Sequence, residues 1–201
     1  MEPLQLFGTL TSPYVRRVRI VAQELGLHFE LVDTATDSGQ AALRKLNPLW
    51  KVPAVRIQGQ AIFDSGVITR HLLRLHGPGP LTPWSADDLV TCNLVTAIDG
   101  ALDALINIFY LANDGLEPDQ VSYLQKHRDR AAEALSWVEQ HAPEQGLGAG
   151  GRFGLPEVAL ITALDWMRFR NTYPVDRHPR LAECCAQQAA RPSVLATAPP
   201  A

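Results

Sequence analysis

The sequence predicts an α/β domain followed by an all-helical domain, and three observations carry that prediction. Residues 1–77 alternate short apolar runs with segments of helical periodicity. The stretch "GPGPLTPW" at 77–84, dense in Gly and Pro, then breaks the composition as a linker does. Beyond it, apolar residues recur only at steps of three and four. The expected division is therefore 1–77 for the α/β domain, 78–84 for the linker and 85–201 for the helical domain.

Each element follows from local pattern. "LQLF" (4–7) is a short apolar strand. Val15, Val18, Val21, Ala22 and Leu25 share one face of a helix, Arg16, Arg17 and Arg19 take the other, and Gly26 stops it. "HFELVD" (28–33) is a second strand, and 37–46 a short helix. "VPAVRI" (52–57), a turn containing Gly59 and "AIF" (61–63) form a hairpin. Asp64 and Ser65 cap a helix that runs through Leu75 to Gly77. Two strands joined through a helix imply a parallel pair with a right-handed crossover. In the second domain, Val90, Leu94, Ile98, Leu102, Leu105 and Phe109 mark a long helix. Val121, Leu124, Ala131, Leu135 and Val138 mark another, with Arg128 interrupting the row. A loop at 146–154, a helix after Pro156 and a helix near 180–190 complete the chain.

Composition narrows the function classes. The 201 residues are 46% hydrophobic and 19% charged, with a net charge of -3 and no long run of one sign, which argues against an electrostatic nucleic-acid partner. Cys92, Cys184 and Cys185 form no CxxC and no metal-ligand spacing, and no histidine pair sits at metal spacing, so neither a disulfide framework nor a metal is expected. A reduced, cytoplasmic protein is the simplest reading. The first residues lack a signal-peptide pattern, no window reaches the length of a membrane helix, and "ATAPPA" reads as a frayed tail.

Three small sites in the first domain carry chemistry. Ser12, between Thr11 and Pro13, is an ordinary helix N-cap. The same position lets a hydroxyl donate to a substrate thiolate beside the positive end of the helix dipole. Lowering a thiol pKa from about 8.5 by about two units takes roughly 2.7 kcal/mol. The helix end supplies about 0.3–1 kcal/mol and a hydrogen bond to a charged group about 1.5–3 kcal/mol, so together they suffice. The second site is "KVPAV", Lys51 to Val55. Pro53 sits either as a plain trans-proline or in a cis bond that turns the Val52 backbone outward, where an extended peptide can pair with it. The third is Asp64-Ser65, either a helix cap or a holder for a ligand carboxylate (serine and backbone N–H) and ammonium (aspartate), as the α-amino-acid end of a small peptide requires.

The order and spacing of these sites make the chain resemble the cytosolic glutathione S-transferases. "SPYVRRVRI", "NPLWKVPAV", "FDSGVI", "ALDWMRFR" and "RPSVLATAPP" carry the resemblance over nearly the full length. The chain is most similar to serine-type bacterial members with the same "TSP" start, and shares "SPY/F" with the plant tau class. The resemblance implies a thioredoxin-like first domain, an all-helical second domain and a homodimer. It implies that Ser12 holds the glutathione thiolate, that Val52 before a cis Pro53 pairs with the cysteinyl backbone, that Asp64 and Ser65 hold the γ-glutamyl end, and that Lys51 lies near the glycyl carboxylate. Glutathione would be co-substrate, without a metal, and a small hydrophobic electrophile would lie against the first long helix of the second domain. Asp103, Asn107 and Tyr110 are the candidates there, with Asp99, Trp166 and Arg170 nearby in the reading, each equally compatible with a solvated or core role. Detoxification by transfer to glutathione is the activity implied. The other reading is a non-catalytic glutathione-binding or protein-interaction module of the same fold.

The departures from the family pattern are informative. Phe7 stands where tyrosine-type members carry their tyrosine, and no cysteine lies near Ser12, which disfavours tyrosine and protein-thiol mechanisms. Thr11 is the alternative activator, since some serine-type members use the earlier position. The usual Glu-Ser pair is Asp64-Ser65. The usual Ser/Thr-x-x-Asp cap of the last long helix is Gly154-Leu155-Pro156-Glu157, a weaker cap by a few tenths of a kcal/mol.

Overall fold

The computed structural model describes residues 4–143, 146–148 and 152–200. Residues 149–151 of the expected 146–154 loop, N-terminal residues 1–3 and the final residue of "ATAPPA" lie outside the described residues. Two compact units are present. The first comprises Met1–Trp84 together with Ala190–Ala201, and the second Ser85–Ala189.

The first unit is thioredoxin-like. It runs β1 (Leu4–Gly8), α1 (Pro13–Glu24), β2 (Phe29–Asp33), α2 (Asp37–Leu46), β3 (Ala54–Ile57), β4 (Gln60–Phe63) and α3 (Ser65–His76). The sheet order is β2-β1-β3-β4, with β1 and β2 parallel and the β1-β3 and β3-β4 pairs antiparallel. Successive strand side chains alternate between faces. Phe7 and Ala54 therefore meet α2 residues Leu43, Ala42 and Leu46 on one face. Leu6 and Gly8 point to the other, where α1 lies so close that a Cβ on Gly8 would collide with Val15. Gln58 and Gly59, with φ of 50° and 77°, make the hairpin turn, whose left-handed geometry matches strand twist.

Two sequence expectations need correction here. Arg16 and Arg17 are each only 2% exposed, not solvated. The C-terminal tail is not frayed, because α8 (Pro192–Leu195) and the residues around it dock on α1. Arg16 donates to the Val194 carbonyl (3.2 Å) and to Thr197 Oγ1 (3.3 Å), Arg19 donates to the Thr197 and Ala196 carbonyls, and Thr197 is fully buried. Glu24 accepts two hydrogen bonds from Arg191, at 2.8 and 3.2 Å, and one from Ser193. These charge-assisted bonds draw residues 190–200 into the first unit, whereas the sequence reading assigned them to the helical domain. The 78–84 segment also belongs to the first unit, with Leu81 and Thr82 buried.

The second unit contains α4 (Leu89–Asn113), α5 (Ser122–His141), α6 (Leu155–Arg170) and α7 (Pro179–Gln188), with 3-10 turns at Pro118–Gln120 and Val175–Arg177. Helix α4 is long and apolar enough, by length and composition, to cross a membrane, contrary to the sequence reading. It packs against α5 and α6, burying Leu94, Ile98, Ala101, Leu102, Ala104 and Leu105. The residue in the apolar row of α5 is His127, 5% exposed; Arg128 points out and pairs with Asp119 at 2.8 Å. At the head of α6, Gly154 offers no capping side chain. The Glu157 carboxylate reaches back instead and accepts from the Gly154 amide (2.9 Å) and the Gly148 amide. A second buried network joins Tyr173 to His178 (2.8 Å) and His178 to Glu139 (3.1 Å).

Candidate functional site

Strand register places Phe7, Ala54 and Phe63 side by side across the sheet. The segment leaving β1, the segment entering β3 and the segment leaving β4 therefore open at one end of the sheet. These segments carry Thr11-Ser12, Lys51-Val52-Pro53 and Asp64-Ser65. Topology alone thus gathers the three sequence sites. Helices α1 and α3 also begin at this end, so the positive dipole ends of two helices lie in the same region.

Ser12 is the N-cap of α1, and its Oγ accepts from the Val15 amide at 3.3 Å. A hydroxyl has two acceptor lone pairs and one donor hydrogen. Capping uses a lone pair only, so the hydrogen is left for an anionic partner. Thr11 Oγ1 lies 3.3 Å from Thr9 Oγ1. Pro13 occupies the first helical position, where a missing amide hydrogen is harmless.

The Val52-Pro53 bond is cis. Pro53 is buried and Val52 half-buried, ahead of β3. Asn47, 1% exposed, holds the loop that delivers them: its Nδ2 donates to the Lys51 carbonyl (2.8 Å), its Oδ1 accepts from the Leu49 amide (3.0 Å), and its carbonyl accepts from the Trp50 amide (3.1 Å). Trp50 sits at φ 56°. A left-handed conformation costs a residue with a Cβ about 1–2 kcal/mol. The Arg44 guanidinium lies over its ring, 4.5 Å from the centroid, an exposed contact worth about 0.5–1 kcal/mol. The indole is 60% exposed, as is its neighbour Leu49 at 62%.

Asp64 adopts φ 76°, ψ 127°, a sparsely populated conformation costing about 1–3 kcal/mol. Its carboxylate caps α3 by accepting from the Val67 amide at 3.0 Å, and stays exposed. Ser65 is 4% exposed, and its Oγ accepts from Arg17 Nη1 at 3.4 Å. Arg17 thus ties α1 to the start of α3 and brings a buried positive charge to this end of the sheet. Sequence reasoning allows Arg16 and Arg17 to add positive potential near Ser12 but takes outer-face arginines as solvated, and so misses the burial of Arg17 and its Ser65 partner. A guanidinium at the interior face of an otherwise apolar helix leaves no periodicity signal of its own.

Within the second unit, Asp103 is exposed, Asn107 donates to the Asp103 carbonyl at 2.8 Å, and Tyr110 is 63% exposed with its ring edge-on to Phe109. Trp166 is buried and packs edge-on against Phe109, while the Arg170 guanidinium lies over the Phe109 and Phe169 rings. No group of three or more His, Cys, Asp or Glu residues among the described residues has the geometry of a metal site.

A thioredoxin-like domain followed in one chain by an all-helical one is the two-domain architecture of the glutathione transferases. Residues 6–80 match the glutathione S-transferase N-terminal domain and residues 93–183 the C-terminal domain, and the chain belongs to that family. It is 30% identical to glutathione S-transferase 3 of Zea mays over 209 residues, covering 98% of this chain and 94% of that one. It is 26% identical to the uncharacterized GST-like protein YibF of Escherichia coli over 203 residues, covering 98% and 99%. Among solved structures, a family member from Pseudomonas fluorescens Pf-5 with bound glutathione superposes with a TM-score of 0.83 at 29% identity, over 98% of this chain and 100% of that one. A glutathione S-transferase from Methylobacterium radiotolerans in complex with glutathione sulfonate does so with a TM-score of 0.81 at 28% identity, over 99% and 96%.

Proposed function

We propose that this chain is a serine-type glutathione S-transferase that activates the glutathione thiol for attack on a small hydrophobic electrophile. The observation that carries the reading is the convergence of Ser12, Val52 before cis Pro53, and Asp64-Ser65 at one end of the sheet. Ser12 donates its hydroxyl hydrogen to the thiolate while still capping α1. Val52 pairs with the cysteinyl backbone. Ser65 and the α3 amides take the γ-glutamyl carboxylate, Asp64 its ammonium, and Lys51 neutralises the far end. Arg17 holds Ser65 in place. Thr11 is the alternative hydroxyl. Asp103, Asn107 and Tyr110 of α4 are the residues proposed for the electrophile, and a cytoplasmic homodimer without metal completes the reading.

The test is a calorimetric titration with reduced glutathione and with S-methyl glutathione, accompanied by ultraviolet difference spectra for thiolate. The expected result is binding with a thiolate signal that is lost in Ser12→Ala and kept in Thr11→Ala. Equal binding of both ligands without thiolate makes Ser12 a cap only and the protein a non-catalytic glutathione-binding module. Absence of binding overturns the reading altogether.

A further inference from the structure

We propose that Arg170 reads an anionic oxygen group on the second substrate, so that the preferred electrophile is an aromatic carboxylate. The inference rests on the proposed transfer to glutathione and on the α4 face given there to the electrophile. The first step is the environment of the side chain. Among the described residues five arginines are not exposed: Arg16, Arg17, Arg19, Arg170 and Arg191. Four of them donate to oxygen. Arg16 reaches the Val194 carbonyl and Thr197, Arg19 the Thr197 and Ala196 carbonyls, Arg17 the Ser65 hydroxyl and Arg191 the Glu24 carboxylate. Arg170 is the exception. Its Nε is buried, and the guanidinium has no hydrogen-bond or ion-pair partner among the described residues. A charge withdrawn from water is ordinarily matched by an opposite charge or by hydrogen bonds. Arg168 in the same turn does have a partner, Asp165 at 3.6 Å.

The second step is what holds Arg170 in place. It is the last residue of α6, and its guanidinium lies over two rings, Phe169 at 4.4 Å and Phe109 of α4 at 5.0 Å from the centroids. Phe109 is fixed in turn by buried Trp166, edge-on at 5.7 Å. The last turn of α6 is also the negative end of its dipole, which favours a cation. Rings and dipole retain the charge without taking any of its N–H groups. A guanidinium stacked by its face keeps those donors along its edge, where they match a planar carboxylate in bidentate fashion.

The third step is the class of ligand. Tyr110 follows Phe109 with its ring edge-on at 5.5 Å, is exposed, and has no hydrogen-bond partner for its hydroxyl among the described residues. Phe109 thus touches a phenol donor and a guanidinium, both open to an acceptor. An arene gains ring contact against this aromatic surface, and a carboxylate on that arene satisfies the open donors. The chain carries a net charge of -3, and Asp103 lies about two turns before Tyr110 on α4. Overall charge therefore repels an anion, and a preference for one requires a local cation.

The experiment titrates 3-nitrobenzoate and its methyl ester into the full chain by calorimetry. Neither has a leaving group, so both report binding whether or not the thiol is activated. The wild type is expected to bind the acid about tenfold more tightly than the ester, the equivalent of about 1.4 kcal/mol. In Arg170→Gln and in Arg170→Met, which keeps apolar contact with the rings, the preference falls to within about threefold of unity. Ester affinity is unchanged in both, and unchanged affinity for reduced glutathione shows that the variants fold. Arg170→Lys, which keeps the charge, retains most of the preference. With glutathione and 4-chloro-3-nitrobenzoate, the loss appears as a raised KM at constant kcat, as removal of a contact made equally in ground and transition states requires. Equal affinity for acid and ester in the wild type, or a preference that survives Arg170→Gln and Arg170→Met, overturns this inference and leaves the glutathione reading intact. A wild type that prefers the acid but binds glutathione without a thiolate signal keeps the anion site and overturns the transfer.

Discussion

Glu24→Gln tests how strongly the C-terminal segment is fastened to α1. Glu24 accepts from Arg191 Nε at 2.8 Å and Nη2 at 3.2 Å, and also from the Ser193 hydroxyl. The side chains are 8% exposed for Glu24 and 27% for Arg191. An exposed ion pair contributes about 0.2–1 kcal/mol, and breaking a fully buried one costs about 3–5 kcal/mol. Glutamine keeps one oxygen but turns an NH2 group toward the guanidinium donors. The expected loss lies between these limits, at about 2 kcal/mol, which for a chain of this size lowers Tm by about 4–8 °C. Urea unfolding at neutral pH, followed by circular dichroism, measures it. A double-mutant cycle with Arg191→Met isolates the pair and should show a coupling of about 1 kcal/mol or more. A loss below about 0.5 kcal/mol, or strict additivity in the cycle, would place this contact among ordinary surface pairs and refute the reasoning.

Two further predictions concern buried titratable groups in the helical unit. Burial pushes the Glu157 carboxyl above its ordinary value near 4.5, against the opposing effect of the backbone amides it accepts from. The folded state therefore binds this proton more tightly than the unfolded state, and the Glu157 contribution to stability falls as pH rises through the window above 4.5. Glu157→Gln removes that slope and leaves one buried amide facing an NH2 group, a loss of about 1–3 kcal/mol. In denaturant titrations the wild-type advantage should shrink between acidic and neutral pH; a constant gap contradicts the assignment. His127 is shifted the other way, below 6.5, by burial first and then by Arg130 and Lys126. Its proton binds better in the unfolded state, so stability is lost as pH falls below 6.5. Neither ring nitrogen has a hydrogen-bond partner among the described residues, so His127→Leu should abolish this acid-side loss and raise stability by about 1 kcal/mol. Unchanged urea midpoints between pH 5 and 7 in both proteins would count against it.

Much of the fold and the three clustered sites was legible because each rests on a local rule. Helical spacing in residues 15–25, the Gly59 turn and the Gly-Pro break at 77–84 are all short-range signals. Strand pairing then brings Ser12, Val52 and Asp64 together without further information. What the sequence concealed was long-range. Arg16 and Arg17 look like solvated residues until their partners, Val194, Thr197 and Ser65, are known. His127 sits one position from Arg128, the charged residue that the spacing alone places in the α5 row. The Trp50 backbone is invisible in sequence because a left-handed residue other than glycine follows no pattern; it is imposed here by Asn47.

The return of residues 190–200 to the first unit makes that unit discontinuous in the chain, with the helical unit inserted into it. During synthesis the sheet, complete at Phe63, emerges about 130 residues before the segment that closes over α1, a delay of roughly 6–25 s at ordinary elongation rates. Through that interval Arg16 and Glu24 lack the partners that later enclose them. Completion of the first domain is thereby tied to completion of the chain, so a prematurely terminated product would carry an α1 surface that invites either chaperone capture or proteolysis.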